Sequence, residues 1–530
     1  MINSIDLIKN SLFEFLNKEF QIESQVLNRI DFTLNVDDNK QQFGDISTNA
    51  ALILAKALQQ APQQIALQIK NNFKLEQIAK IEIAGPGFIN LFLTTQTYQN
   101  LLQELFHQKS NFFKPANLVP ENYLLEYVSA NPTGPLHFGH GRGGIIGDTL
   151  GNILSFIGHR VTREFYINDA GNQMHNLGLT LQARCKQLLG IPAEIPEDGY
   201  KGEYMLEVAQ ECVTEGGPSV INNDIKFFSR YAETKLLTRI KKTLADYGIK
   251  FDIWFSERSL HEDGAISNAI ERLTSAGYTF TQDGALWFKS TQFGDDKDRV
   301  LRKSNGELTY AAADIAYMLS KVARGANHLV MILGQDHHSY AVRVEGFRQA
   351  LKLDTTKLDV ILYQLVSLTA SGEAVRMSKR AGKFVTLQDI IDEVGKDVAR
   401  FFFLNRKSDS HLEFNLDLAL KKTEENPVYY IQYAYVRIKG ILRKASEYSE
   451  LQNISESDAC FINEPEHQII KKMVYLKDLL QNIARTQQTH QLTYYAQELA
   501  RMFHAYYNNC KVLDLNQLGQ SRMRLLLLKQ

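Results

Sequence analysis

The chain has 530 residues, too many for one compact domain and enough for about three or four. Hydrophobic residues make up 44% and charged residues 22%, which fits a soluble globular protein and excludes a fibrous or wholly disordered one. The net charge of −1 excludes nucleic-acid binding by overall charge, so any such contact must come from local patches.

The opening "MINSIDLIKNSLFEFLNKEF" (1–20) mixes acids and lysines in an amphipathic helical pattern. It lacks the apolar core and cleavage site of a secretory signal. No apolar run along the chain approaches the ~20 residues needed to span a bilayer. "NAALILAKALQQAPQQIALQIKNNF" (49–73) has helical period. "IAKIEIAGPGFINLFLT" (78–94) alternates apolar and polar residues around a Gly-Pro-Gly turn, as a strand pair does. "FFKPANLVPEN" (112–122) carries two prolines and reads as a linker. The first domain is therefore expected at 1–115, as α+β.

Beyond the linker, "YLLEYVSA" (123–130) is a strand-length apolar run. "ANPTGPLHFGHGRGG" (130–144) follows as a loop, then a helical pattern over 141–159 and a strand over 160–169. Strand, glycine-rich loop, helix, strand is the βαβ unit of a parallel sheet. Helical sequence fills roughly 172–250. Strand-like runs return at "GALWFKS" (284–290), "HLVMILG" (328–334) and "LDVILYQLV" (358–366). The pattern predicts an interrupted, Rossmann-like doubly wound α/β domain over 116–400. From about 400 strand signals vanish. Amphipathic stretches over 426–445, 467–487 and 492–510 predict an all-α bundle over 401–530. Four cysteines lie far apart with no CxxC pair, so neither a disulfide framework nor a cysteine zinc site is expected, and a reducing cytoplasm is.

The 130–144 loop joins a strand's carboxyl end to a helix's amino end, where free N–H groups and the helix dipole favour phosphate. It matches neither a Walker loop nor G-x-G-x-x-G. Its histidines, His137 and His140, suggest hydrogen bonds to a phosphate under attack. A structural turn with surface histidines is the bland alternative. A zinc site lacks a third ligand nearby. "GEAVRMSKRAGKFVTLQDII" (372–391) is the second stretch of interest. Arg376, Lys379, Arg380 and Lys383 crowd a loop ahead of a helix. Such a cationic loop can close over a triphosphate, or can simply be solvated.

Taken together, "HFGH" and "RMSKR" resemble the HIGH and KMSKS motifs of class I aminoacyl-tRNA synthetases. "EYVSANPTGPLHFGHGRG", "REFYINDAGNQM", "YKGEYMLEVA", "GALWFKSTQFGDDKDRVL", "ADIAYMLSK" and "NPVYYIQYAYVRI" resemble the bacterial arginyl-tRNA synthetase family in particular. These matches run in family order from about residue 40 to 513.

The resemblance implies a reaction in which arginine and ATP give arginyl-adenylate and pyrophosphate. The arginyl group then passes to the terminal ribose of tRNA(Arg). His137, His140 and Lys379 would carry the chemistry. Gly139, Gly334, Asp336, Met377 and Ser378 would bind ATP with Lys379, and Mg2+ would accompany the nucleotide, with no tightly bound metal. Family members commonly need tRNA present before they activate arginine. Two departures stand out: Arg376 replaces the first lysine of KMSKS, and Arg380 its last serine. Arginine is a rigid fork, not a point charge.

A guanidinium is planar, always charged and rich in donors, so it demands facing carboxylates. By motif position the resemblance supplies Asp314, Tyr310 and Glu257, with Glu126, Asn131 and Gln335 for the remaining groups of arginine. Residues 406–530 hold 17 Lys+Arg against 14 Asp+Glu, a net of +3 that suits an RNA-binding face. "DVAR" (397–400) resembles the DALR hallmark at the entry to the family's anticodon-binding domain. Tyr429, Tyr430, Tyr433, Tyr435, Tyr506 and Tyr507 offer platforms for splayed bases, or else belong to the core. Of these, Tyr430, Tyr506 and Tyr507 are the expected tRNA contacts. The N-terminal domain resembles the family's additional domain at the tRNA elbow, with Phe88 and Asn90 as contacts. The chain stops at "SRMRLLLLKQ", where relatives usually continue through a longer final helix, which puts tRNA affinity in question. A cytoplasmic monomer with no membrane contact is expected. The rival readings are an RNA-binding paralogue that does not aminoacylate, a class I synthetase for another amino acid, and a zinc hydrolase.

Overall fold

The structure is a computed structural model and describes residues 3–374 and 385–530. Arg376, Met377, Ser378, Lys379, Arg380 and Lys383 therefore lie outside the described residues. The chain divides into two compact units.

One unit comprises Val119–Val428 and Thr486–Thr493. Its centre is a five-stranded sheet of β1 (Asn122–Tyr127), β2 (Arg160–Ile167), β3 (Ile253–Ser256), β4 (His328–Gly334) and β5 (Lys357–Tyr363). The order across it is β5-β4-β1-β2-β3, and every pairing is parallel. Such a sheet is covered on both faces, so its strands read as near-continuous apolar runs. "HLVMILG" does so, and it forms β4 with no residue to spare. The strand order reverses between β1 and β4, and ligands bind at the carboxyl ends of strands flanking such a reversal. The doubly wound α/β fold is as expected.

Three details differ from the sequence reading. "GALWFKS" forms Ala285–Phe288 in a separate three-stranded antiparallel sheet, outside the parallel one. The four residues of β3 carry too short a pattern to stand out beside the long helix Ile225–Asp246. Strand signals also do not end at 400: Leu412–Asn415 pairs in parallel with Val366–Ala370.

The helix α1 (His140–Ile157) follows the HFGH turn and packs on the sheet through glycines. A Cβ at Gly147 would meet the Tyr127 ring at 2.4 Å, and one at Gly143 the Tyr363 ring at 2.6 Å. The glycine run is thus a packing surface beyond the turn itself. Gly147→Ala is expected to lower the urea midpoint. Overpacking against a buried ring costs about 1–3 kcal/mol, and a gain in helix propensity of up to ~1 kcal/mol offsets only part of it. An unchanged midpoint would show that the ring yields freely.

The other unit combines residues up to Leu118 with Tyr429–Arg485 and Tyr494–Gln530. Its four-stranded antiparallel sheet uses Phe32–Leu34, Ile46–Thr48, Ile78–Ala84 and Phe88–Leu93. Long helices follow at Glu464–Thr486 and Gln491–Asn509. A single hydrophobic core runs from Ile5 and Leu12 through Leu91 and Leu102 to Ile470 and Leu527. Two buried lysines of the first long helix reach N-terminal carboxylates: Lys471 to Asp45 at 3.0 Å and Lys477 to Asp6 at 2.5 Å. Among the described residues no helix is long and apolar enough to cross a membrane.

Candidate active site

Successive residues of β1 face opposite sides of the sheet. Tyr127 faces α1. Leu124 and Glu126 face α2 (Tyr310–Ala323), where Leu124 packs with Ala312, Ala316 and Met318. A phosphate-binding turn and an amino-acid pocket can therefore lie on the two sides of one strand and meet at its end.

On the α1 side, the His137 Nδ1 accepts the Gly139 N–H at 3.1 Å. That bond places the proton of a neutral His137 on Nε2, where it can be donated. The His140 Nδ1 lies 3.1 Å from the His137 carbonyl oxygen. A carbonyl only accepts, so Nδ1 carries a proton, and His140 donates from Nε2 only when the ring is charged. Gly334 ends β4 opposite Tyr363, and Gln335, Asp336 and His337 make a short turn beyond it. The turn and the HFGH segment thus flank the strand-order reversal.

The HFGH segment also meets the end of the RMSKR region. Leu387 N–H donates to the Leu136 carbonyl at 2.9 Å, Phe138 N–H donates to Val385 at 3.2 Å, and His137 bridges Thr386 in antiparallel fashion. Thr386 and Asp389 form a capping box that starts the following helix. The HFGH segment is therefore joined by backbone hydrogen bonds to residues 385–387, more than 230 residues further along the chain.

On the α2 side, acidic groups gather. Glu126 is buried; its Oε2 pairs with Lys321, and its Oε1 accepts from Ser129 Oγ at 3.1 Å. Glu257, at the start of a short helix after β3, is buried. Burial raises its carboxyl pKa, and a hydrogen bond from Tyr166 offsets part of that rise. Burial pushes Asp314 up to about 7. The Tyr340 hydroxyl bonded to it works the other way, while the fields of Glu126 and Glu257 add to the rise. Asp314 and Glu257, both raised by burial, thus lie within one another's field and that of Glu126, and such a group of carboxylates suits a cationic ligand.

The other expected site residues are placed as follows. Asn131 is exposed and donates to Gln173 at 2.9 Å. Tyr310 opens α2 and is 60% exposed. Gln335 is half-buried and Asp336 exposed. Phe88 is exposed at its strand's start. Asn90 is not on the surface: it is buried and accepts from Ser47 Oγ at 2.9 Å. Tyr506 is likewise a core residue, 5% exposed, with its hydroxyl donating to Glu466 at 2.7 Å. Tyr507 is exposed, and Tyr430 is half-buried against His504. Arg437 lies over the Tyr433 ring at 4.2 Å and the Tyr507 ring at 5.0 Å, which makes a mixed aromatic and cationic face. The arginine of "DVAR", Arg400, pairs with Asp148 of α1 at 2.6 Å.

Some groups carried no sequence signal. Val128 and Ser129 have φ of +67° and +41°, a strained pair directly after β1. The turn lets Ser129 Oγ accept from Tyr166 N–H at 3.1 Å while donating to Glu126, so it holds the edge of the acidic pocket. Tyr340, on α3 (His338–Ala350), is the other.

The comparisons agree along the chain. The family model for tRNA synthetases class I (R), catalytic domain, matches residues 101–411. That for the arginyl tRNA synthetase N terminal domain matches 6–93, and that for the DALR anticodon binding domain 431–530. The arginine–tRNA ligase of Caldanaerobacter subterraneus subsp. tengcongensis is 45% identical over 90% of this chain and 86% of its own. That of Moorella thermoacetica is 43% identical over 91% and 88%. The fold matches Thermus thermophilus arginyl-tRNA synthetase with a TM-score of 0.76 over 99% of this chain and 96% of that one, at 21% identity. A class I fold, a histidine-bearing turn at its strand reversal and these matches place the chain in the arginyl-tRNA synthetase family.

Proposed function

We propose that this enzyme joins arginine to tRNA(Arg) at the carboxyl edge of β1 and β4, through an arginyl-adenylate. The observation that carries the reading is the acidic group Asp314, Glu257 and Glu126 on one side of β1, with the HFGH turn on the other. In the first step an oxygen of the arginine carboxylate attacks the α-phosphorus of ATP, and pyrophosphate leaves. In the second, the terminal ribose hydroxyl of the tRNA attacks the activated carbonyl, and AMP leaves. His137 donates from Nε2 to the phosphate as its charge grows, with His140 beside it. Lys379, with Met377 and Ser378, holds the departing phosphates. Gly139, Gly334 and Asp336 bind the nucleotide, and Mg2+ arrives on its phosphates. Asp314 and Glu257 take the guanidinium, and Tyr310, Asn131, Gln335 and Glu126 serve the rest of arginine.

The tRNA is assigned to two regions of the other unit. Residues 1–115 meet the elbow through Phe88. Residues 401–530 meet the anticodon through Tyr430, Tyr507 and the exposed face around Arg437, and residues 116–400 do the chemistry. We assign the enzyme to the cytoplasm, as a monomer. Charging of tRNA(Arg) with each of the twenty amino acids in turn tests the reading. Arginine alone should be esterified; charging with another amino acid, or with none, would sink it.

A pH dependence follows. Free Asp314 titrates at about 7. A guanidinium needs it ionised, so protons and arginine compete. kcat/KM for arginine is expected to rise by about tenfold per pH unit below that value and to level off above it. Asp314→Asn should flatten the acid limb. A wild-type profile with no slope from about pH 6 to 8 would show that Asp314 does not meet the substrate's charge.

A further inference from the structure

Arg142 stands two residues past His140, in the first turn of α1, and is wholly buried. Among the described residues no carboxylate lies within ion-pair distance of it, and its Nε has no partner. Its hydrogen bonds go to two backbone carbonyls: Nη1 donates to Gln364 at 2.8 Å and Nη2 to Lys407 at 2.8 Å. A buried cation whose hydrogen bonds go to carbonyls is costly to keep: burial lowers its pKa to about 10, and the fields of Tyr363 and Asp409 offset only part of that. A neutral side chain would fill the same volume at lower cost, so the fork has a use other than filling space.

The two carbonyls show what that use is. Gln364 directly follows β5 and leads into the strand Val366–Ala370; Lys407 leads into the strand Leu412–Asn415. Those strands pair in parallel, and Gln364 N–H donates to Ser408 at 2.9 Å between their roots. Beyond Val366–Ala370 and its short return strand Glu373–Ala374, the chain enters the segment with RMSKR. The far end of that segment, 385–387, is bonded to residues 136–138. The stretch 136–142 therefore holds described residues from both sides of the segment: 385–387 through backbone pairing, and Gln364 and Lys407, at the roots of the two paired strands, through the Arg142 fork.

We infer that Arg142 is a positioning residue for adenylate formation, whose planar fork sets the strands Val366–Ala370 and Leu412–Asn415, which precede and follow the RMSKR segment in the chain, against the helix that begins at the HFGH turn. The inference rests on the function proposed above. Lysine cannot reproduce it, because an ammonium reaches one carbonyl where the fork spans two. A misplacement of about 1 Å at a reacting centre costs about 100-fold in rate.

The test uses the full-length enzyme with tRNA(Arg) present, and rates are normalised by active-site titration so that misfolded protein does not count. Arg142→Met is expected to lower kcat for arginine-dependent pyrophosphate exchange by about 100-fold, with KM for arginine within roughly twofold of wild type. Transfer from preformed arginyl-adenylate to tRNA, which involves no pyrophosphate, should stay within a few-fold. Arg142→Lys should fall between, and it carries the test alone if the methionine variant does not fold. Gly147→Ala, on the same helix, should lose stability while keeping its rate per titrated site. Exchange within threefold of wild type in both Arg142 variants would overturn the inference. So would equal losses in exchange, transfer and arginine KM, which would make Arg142 a stability residue only. Failure of the wild-type enzyme to exchange with arginine would instead overturn the proposed function.

Discussion

Lys379→Ala is expected to raise the barrier to adenylate formation by about 2–4 kcal/mol, the range for removing one preorganised charge from a transition state. The leaving pyrophosphate gains negative charge as its bond to the α-phosphorus breaks. A lysine ammonium is a compact charge that can follow those oxygens as they move, whereas the neighbouring arginines, Arg376 and Arg380, present rigid forks. Lys379 lies outside the described residues. The stems on either side of it are described, and the later one, 385–387, hydrogen-bonds to the HFGH segment. Binding of arginine should barely change, because the carboxylates proposed to take the guanidinium lie on the face of β1 away from the HFGH turn. Pyrophosphate exchange with tRNA present gives the rate. A near wild-type value would remove Lys379 from the step and leave Lys383 as the next cation to examine.

The HFGH turn was legible because a turn between a strand's carboxyl end and a helix's amino end needs particular residue types, and such needs survive in a single sequence. β4 was legible for a similar reason, since a strand buried on both faces must be apolar throughout. What escaped depends on partners far away in the chain. Leu412–Asn415 is a strand only because Val366–Ala370 lies beside it. Arg142 sits in the glycine-rich run after HFGH, and its bonds go to carbonyls 222 and 265 residues away. The left-handed Val128 defies its own preference, as a β-branched residue in a turn that the acidic pocket requires.

The tyrosines show the same limit at finer grain. Tyr506 and Tyr507 are adjacent on one helix, so they point about 100° apart. One is held by Glu466 in the core and the other is exposed. Composition calls both of them platforms, and only the position of the core decides between them. Asn90 is a second case. The resemblance of the N-terminal domain to the family's additional domain offers it as a tRNA contact, but its side chain is buried and bonded to Ser47 on the neighbouring strand.

Asp314→Asn is expected to lower kcat/KM for arginine by at least ~100-fold, about 2.7 kcal/mol, with ATP binding intact. Lysine is the competitor that the site must reject, since it carries the same charge at a similar length. A carboxylate accepts two parallel N–H bonds from a guanidinium but meets only a point charge in lysine. When lysine enters, acceptors are left unpaired, and unpaired buried acceptors are costly. The structure adds a reason for the size of the effect. Burial resists the charge of Asp314 most, and the carboxylates of Glu126 and Glu257 add to that, while the Tyr340 hydroxyl and the charge of Arg343 ease it. A bound guanidinium relieves that resistance, so Asp314 and arginine stabilise each other more than an exposed pair could. The asparagine keeps the shape but replaces one acceptor with a donor aimed at the guanidinium. Discrimination against lysine should shrink along with the rate, because the lost term favoured arginine. Side-by-side charging with arginine and lysine above about pH 8, where Asp314 is ionised, checks both expectations. If the arginine KM and the arginine-to-lysine ratio both stay unchanged, the guanidinium is read elsewhere, and Glu257, buried on the same side of the sheet, is the next carboxylate to replace.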